Sequence, residues 1–263
     1  MKRLAGNRIL VTGAGSGIGQ ATALRLLDEG AVVVGADIAA EGLAATAARA
    51  GEAGTGDRMN TLEMDVGDEG SVVAAVRSVV DTLGGLDAVV NAAGMLRAEH
   101  THQMGLELWN RIIGVNLTGT FLVIREALPA LLQNPRSAIV NFSSTSASFA
   151  HPYMAAYAAS KGGVQAFTHA LALEYARDGL RAVCVAPGSI KSGITEATGG
   201  YIPRDADWKL FGRLMPIMPT AEKSSGAPMA DPSAVAGVVA MLVSDDGAFI
   251  TGTEIRIDGG THA

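Results

Sequence analysis

The sequence predicts an α/β domain built on a parallel, doubly wound sheet. Short apolar runs rich in Val, Ile and Ala alternate with longer amphipathic segments along the 263 residues, the pattern of strands joined by crossover helices. The first of these runs opens straight into a glycine-rich turn and a helical segment. The composition, 48% hydrophobic and only 17% charged with 33 glycines, suits strands buried on both faces and joined by tight turns. A single domain over residues 1–263 is long enough to bury a substantial core.

Arg8-Ile9-Leu10-Val11 reads as a buried strand that runs into Thr12-Gly13-Ala14-Gly15-Ser16-Gly17-Ile18-Gly19 and then the amphipathic segment Ala21 to Asp28. Glycines permit a sharp turn and let a pyrophosphate approach the amides at a helix N-terminus, where the dipole favours negative charge. A second strand, Ala31 to Ala36, ends in Asp37, at about the separation expected of an acid that binds a ribose. Gly13, Ser16, Gly17, Ile18, Gly19 and Asp37 are therefore candidate dinucleotide contacts. Asp37 also discriminates between cofactors. Its carboxylate accepts from a ribose 2′-hydroxyl but repels a 2′-phosphate by roughly a few kcal/mol, and neither Ser16 nor Ile38 supplies a compensating cation. NAD is expected over NADP.

The alternation continues with a helix from Glu41 to Arg49, a Gly-rich linker to Gly56, a strand from Thr61 to Met64 ending in Asp65-Val66, a helix from Glu69 to Leu83 and a strand from Leu86 to Val90. Asn91-Ala92-Ala93-Gly94 follows, and small residues at a strand's carboxyl end leave room for a flat cofactor. Asp65 is placed to meet an adenine edge. From Leu106 to Leu132 come two helical patterns, with Asn116 in the polar interruption between them. An asparagine among apolar neighbours needs partners: it is a helix cap, or it positions a water behind a catalytic lysine.

Ala138 to Phe142 is the next strand and delivers Ser143 and Ser144 to the sheet's carboxyl edge, where α/β ligands bind. Tyr157 and Lys161 lie four residues apart in an Ala/Ser-rich helical stretch that runs to about Arg177, so they share a face. Making a phenol basic near neutrality takes about 4 kcal/mol, and a cation about 4 Å away at an effective dielectric of 20 supplies a comparable amount. The strand Leu180 to Val185 leads to Pro187-Gly188-Ser189-Ile190-Lys191-Ser192, a rigid turn that holds Ile190 against a cofactor ring and offers the Ser192 hydroxyl. Residues 193–230 break the periodicity with Gly199-Gly200, prolines, aromatic residues and methionines. Such a segment is a substrate lid or fills a subunit interface. A last helix, Pro232 to about Leu242, and a closing strand, Thr253 to Gly260, complete the chain.

Other functions are disfavoured. The net charge is −6 without a basic patch, which argues against nucleic acid and anionic membrane as partners. Cys184 is the only cysteine and sits in an apolar run, so it reads as a core residue with no internal disulfide. His100, His102, His151 and His169 lack metal-ligand spacing, so no metal is expected. No long apolar leader and no stretch near 18 uninterrupted apolar residues is present, so neither secretion nor membrane spanning is signalled and the cytoplasm is the default compartment.

Thr12-Gly13-x-x-x-Gly17-Ile18-Gly19, Asp37, Asp65-Val66, Asn91-Ala92-Ala93-Gly94, Asn116, Ser144, Tyr157-x-x-x-Lys161 and Pro187-Gly188, all in this order, resemble the short-chain dehydrogenase/reductase family, in its single-domain branch. The resemblance implies a three-layer Rossmann fold with a seven-stranded parallel sheet and helices on both faces. It implies reversible hydride transfer between a nicotinamide and an alcohol or carbonyl carbon, and a homotetramer. By the same resemblance Tyr157 is the general base or acid and Ser144, favoured over Ser143, bonds the substrate oxygen. Lys161 lowers the tyrosine pKa and holds the nicotinamide ribose, and Asn116 supports a proton-relay water. Two departures stand out: Ser192 replaces a common threonine, and Ala227 to Ala230 lacks a common Arg. The expected function is NAD-dependent hydride transfer between the nicotinamide and a small-molecule secondary alcohol or ketone, apolar or cyclic, with Met95, Ser146 and Tyr153 as candidate substrate contacts. The alternatives are an NADPH-dependent 3-oxoacyl-carrier-protein reductase and a dinucleotide-binding sensor or structural protein without turnover.

Overall fold

The computed structural model describes residues 2–192, 201–218 and 229–262. Seven parallel strands form one sheet: β1 (Arg8–Thr12), β2 (Val32–Asp37), β3 (Met59–Glu63), β4 (Ala88–Asn91), β5 (Ala138–Phe142), β6 (Arg181–Pro187) and β7 (Glu254–Ile257), in the spatial order β3-β2-β1-β4-β5-β6-β7. The order reverses between β1 and β4, which is where a doubly wound sheet opens a crevice for ligands. Register brings the functional ends level: Thr12 lies opposite Asn91, Asn91 opposite Asn141, and Phe142 opposite Val185.

Alternate strand residues feed two cores. Ile9, Val11, Val33 and Val140 pack with Leu26, Leu27, Val235 and Val239 on one side, while Leu10, Val34, Val89 and Ile139 pack with Val76, Leu122, Val123 and Leu171 on the other. Period-two alternation with both sets apolar leaves no solvated face. Helices therefore cover both: α1 (Gly17–Asp28), α2 (Ala40–Glu52), α3 (Glu69–Leu83), α4 (Leu106–Ile113), α5 (Gly119–Leu131), α6 (Ala155–Glu174), the short α7 (Trp208–Phe211) and α8 (Ser233–Val243). Fully buried side chains such as Leu10, Leu26 and Ile139 each contribute about 1.5–3 kcal/mol.

Most limits shift by one to three residues from the sequence reading, as for the closing strand, which is Glu254–Ile257 rather than Thr253 to Gly260, and three differences have a structural reason. Helix α1 starts at Gly17 rather than Ala21, because the last glycines of the turn form its first turn. Strand β3 begins at Met59 rather than Thr61, with Asn60, Thr61 and Glu63 exposed. As an edge strand it lacks the apolar signature of its neighbours. The two helices expected between Leu106 and Leu132 are one continuous helix joined through a π-helical turn, Gly114–Thr118. By length and composition this 106–131 helix could cross a membrane, at mean hydropathy 1.3. In the fold it packs against α3, α6 and β4. Of the irregular segment 193–230, residues 193–200 and 219–228 lie outside the described residues.

Candidate active site

The site lies along the carboxyl edge of the sheet, and its nucleotide end is made of backbone. Ser16 caps α1 in extended conformation, but its side chain makes no capping hydrogen bond, so the amides of the first turn have no side-chain cap. The turn is close-packed on itself. A methyl on Gly19 would sit 2.0 Å from the Gly13 carbonyl oxygen, and Gly13 itself has φ +70. Across the turn, Asp37 ends β2 with Oδ2 accepting from Gly15 N at 2.8 Å and Oδ1 from Ala39 N at 2.9 Å. Each oxygen retains a lone pair for a ribose hydroxyl.

At the other end, side chains converge. Tyr157 and Lys161 project from the first turns of α6, and Lys161 Nζ lies 5.8 Å from the centre of the Tyr157 ring. The ammonium is buried and donates to the Phe142 carbonyl at 2.8 Å, and desolvation pushes it down to about 8. Burial also drives the Tyr157 phenol above its ordinary value, with the Ser144 hydroxyl pulling the other way. The lowering expected from Lys161 is thus absent from the protein alone: the group that lowers the phenol is the Ser144 hydroxyl, and desolvation outweighs it. The adjacent serines separate cleanly. Ser143 turns away to the Val185 carbonyl and to Glu254 Oε2, 2.5 Å from its hydroxyl, whereas Ser144 faces Tyr157 and accepts from Ser146 N at 3.2 Å.

Asn116 is fully buried inside the π turn and does not cap a helix. Its Oδ1 accepts from Met95 N at 2.8 Å, and its Nδ2 donates to Met95 O at 2.9 Å and to Ser160 Oγ at 3.0 Å. Ser160 Oγ in turn donates to the Tyr157 carbonyl at 2.7 Å. The extra residue of a π turn reorients a side chain relative to regular helix, and here that links the segment after β4 to the start of α6.

A cavity of about 1210 Å³ joins the two ends. It is lined by Gly13, Ser16, Gly17, Ile18, Gly19, Asp37, Asp65, Val66, Ala92 and Gly94 of the expected nucleotide contacts, then by Pro187, Gly188, Ile190 and Ser192, and by Ser144, Tyr157, Lys161, Met95 and Ser146. Asp65 is exposed, with Oδ1 accepting from Gly67 N at 2.8 Å. Three expected contacts stand apart from the lining. Asn116 lies behind it. Asn91 donates to Asn141 Oδ1 at 2.9 Å, which starts a buried polar chain to Thr168 and leaves Asn91 Oδ1 unpartnered. Tyr153, at φ +64, directs its hydroxyl to Asp207 N at 2.9 Å and stacks on Phe211. Its aromatic ring anchors the segment 201–218, which is why it does not reach the cavity.

The sequence reading missed Arg97 and His151 as lining residues, whereas Trp208 and Phe211, which also line the cavity, belong to the segment 193–230 read as a lid or an interface. A lone cation in the small and apolar run Ala92 to Ala98 was the available signal for Arg97. His151 carries no sequence signal: the loop between β5 and α6 turns its ring back to Thr145 Oγ1, at 3.5 Å, and to the Phe149 carbonyl, at 3.2 Å. Burial lowers the His151 imidazole pKa, favouring its neutral form. Cys184 is buried, its thiol pushed up to about 11 by desolvation, as befits a core residue. Among the described residues no group of His, Cys, Asp or Glu could hold a metal ion.

The donor set fits a dinucleotide. The amides at the head of α1 await an anion, Asp37 keeps acceptor capacity, and Ser146 Oγ is buried without a partner at the far end. Comparison with known proteins agrees. The family described as short chain dehydrogenase matches residues 7–200. A 3-oxoacyl-[acyl-carrier-protein] reductase of Thermotoga maritima is 35% identical, with 98% of each chain covered. A meso-2,3-butanediol dehydrogenase of Serratia marcescens is 35% identical over 97% of this chain and 94% of its own. The crystal structure of a 3-ketoacyl-(acyl-carrier-protein) reductase from Brucella melitensis complexed with NADH superposes with TM-score 0.84 at 30% identity, covering 98% of this chain and 99% of that one.

Proposed function

The chain belongs to the short-chain dehydrogenase/reductase family, and from that premise we propose that it is an NAD-dependent oxidoreductase acting on a secondary alcohol or its ketone, with an apolar or cyclic body. The observation that carries the reading is the continuity of one cavity from Asp37 to Ser144, Tyr157 and Lys161. A nicotinamide cofactor, when bound, supplies the carbon that accepts or donates hydride. The chain supplies binding and proton control. The amides of α1 and Asp37 hold the nucleotide, Pro187, Gly188, Ile190 and Ser192 wall the cavity beyond β6, and Trp208 and Phe211 line its substrate end.

Ser144 Oγ holds the substrate oxygen, and Tyr157 Oη takes its proton in oxidation and returns it in reduction. Lys161, with a value of about 8, is mostly protonated at neutral pH; the Ser144 hydroxyl favours the phenolate that burial opposes, and the role of the Lys161 charge, by Coulomb attraction, is to add to it once cofactor and substrate are in place. Asn116 fixes the Met95 segment and the carbonyl end of the Tyr157 turn, and it continues the proton path. The preference for NAD rests on Asp37, beside which Ile38 is 67% exposed and brings no charge. The reading includes one domain over residues 1–263, a homotetramer, for which the exposed apolar side chains of Leu173 and Phe249 are suitable contacts, and a reducing cytoplasm, which suits the buried free thiol of Cys184.

A second reading is a 3-oxoacyl-carrier-protein reductase using NADPH, favoured by the Thermotoga maritima relative and opposed by Asp37. The deciding experiment follows nicotinamide absorbance with NAD and NADP over secondary alcohols, polyols and hydroxyacyl thioesters. Turnover with NAD that falls by about 10³-fold in Tyr157→Phe, with nucleotide affinity little changed, is the expected result. Full activity in Tyr157→Phe sinks the assignment of the base. NADP preference with thioester turnover selects the second reading, and nucleotide binding without turnover on any substrate indicates a sensor.

A further inference from the structure

The catalytic end of the cavity holds a cation that the chemistry above does not use. Arg97 lies on the segment after β4, between Leu96 and Ala98, which pack with Met154 against Tyr157. Its guanidinium carbon sits 3.6 Å from the centre of the Tyr201 ring, and Nη1 donates to the Leu96 carbonyl at 2.7 Å. Stacking and that one hydrogen bond hold the group in place. Among the described residues no carboxylate pairs with it, and its Nε–Nη2 edge has no partner, the edge that takes a carboxylate in two parallel hydrogen bonds.

Its surroundings make the charge conspicuous. The acids that line the cavity among the described residues are Asp37 and Asp65. They lie at the ends of β2 and β3, separated from β4 by β1, hence about 10 Å or more away at ordinary strand spacing. Near Arg97 the lining is Leu96, Met154, Ile202 and Phe211. A cation facing such an apolar cavity without an internal counterion is matched by an anion that arrives with the ligand.

We propose that Arg97 binds an anionic group of the substrate, so that the substrate is a hydroxy or oxo carboxylate with an apolar body. The inference rests on the oxidoreductase reading of this cavity and narrows its substrate class. His151, half-buried and biased to its neutral form, supplies a hydrogen-bonding group without a competing charge.

The test separates this inference from the reading it rests on. Cyclohexanecarboxylate and cyclohexanecarboxamide are titrated calorimetrically into the full chain at pH 7. The wild type is expected to bind the carboxylate about tenfold or more tightly than the amide. Arg97→Met erases that preference and Arg97→Lys keeps part of it. Thermal melts check folding, and Arg97→Gln replaces Arg97→Met if the latter does not fold. Equal affinity for the two probes, no carboxylate binding, or an equal weakening of both in the Arg97 variants overturns the proposal, the last by assigning Arg97 to packing on Tyr201. Absence of turnover with every alcohol would sink the oxidoreductase reading and leave the titration result standing.

Discussion

From Gly13 to Asp37 the cavity wall is backbone packed on backbone, with α1 entering directly from β1 and no side-chain cap at its head. From Ser144 to Lys161 the wall is a set of polar side chains, each held by another part of the chain: Lys161 by the Phe142 carbonyl, Asn116 by Met95 and Ser160. The first region depends on atoms that are missing, since a glycine Cβ would fill the turn. The second depends on atoms whose solvation has been removed. Their failure modes should differ accordingly: steric and structural at the nucleotide end, electrostatic and pH-dependent at the catalytic end.

Gly19→Ala is the strongest way to break the contrast. The added methyl meets a backbone oxygen at 2.0 Å, and neither partner can rotate away, so a loss of about 3 kcal/mol or more is expected in urea denaturation. Wild-type stability in that variant would show that the turn can open and that its glycine is dispensable.

Lys161→Met sharpens the other side. In the folded protein the ammonium titrates at about 8, against 10.5 for the free group. Between these values the unfolded chain binds more protons, so wild-type stability rises with pH through that window. The penalty is fully present below about pH 8, at roughly 3 kcal/mol before the hydrogen bond to Phe142 is counted. The methionine variant should therefore lose the upward slope between pH 8 and 10.5 while losing activity. An unchanged slope would mean that Lys161 is not the desolvated group.

Gly51→Ala is the smallest change and the control. Gly51 lies in α2, and a Cβ there would meet nothing within 4 Å. A gain of about 0.5 kcal/mol is expected from the reduced entropy of the unfolded chain. A loss there would mean that glycine replacement destabilises this domain for reasons other than the clash at Gly19.

Much of the fold was legible because buried parallel strands announce themselves. Ala138–Phe142 and Glu69–Leu83 have the limits expected from their residues. Strand β3 was less legible, since an edge strand need not be apolar on both faces. The π turn at Asn116 was not legible at all: sequence shows a polar break in an apolar helix, and two helices satisfy that pattern as well as one wide turn. Tyr153 illustrates a further limit. It is an aromatic residue near the presumed site in sequence, yet a left-handed backbone carries its hydroxyl to Asp207.

The sequence by itself determined the order of strands and helices, the glycine turn, the acid at the end of β2 and the pairing of Tyr157 with Lys161. All of these depend on spacing within one element or between consecutive ones. Tertiary structure decided which of the two adjacent serines faces Tyr157, that Lys161 is desolvated against the Phe142 carbonyl, and that Arg97 enters the same cavity on a Tyr201 platform. Those outcomes depend on groups distant in the chain meeting where water is excluded, and local sequence patterns carry no record of which distant groups will meet.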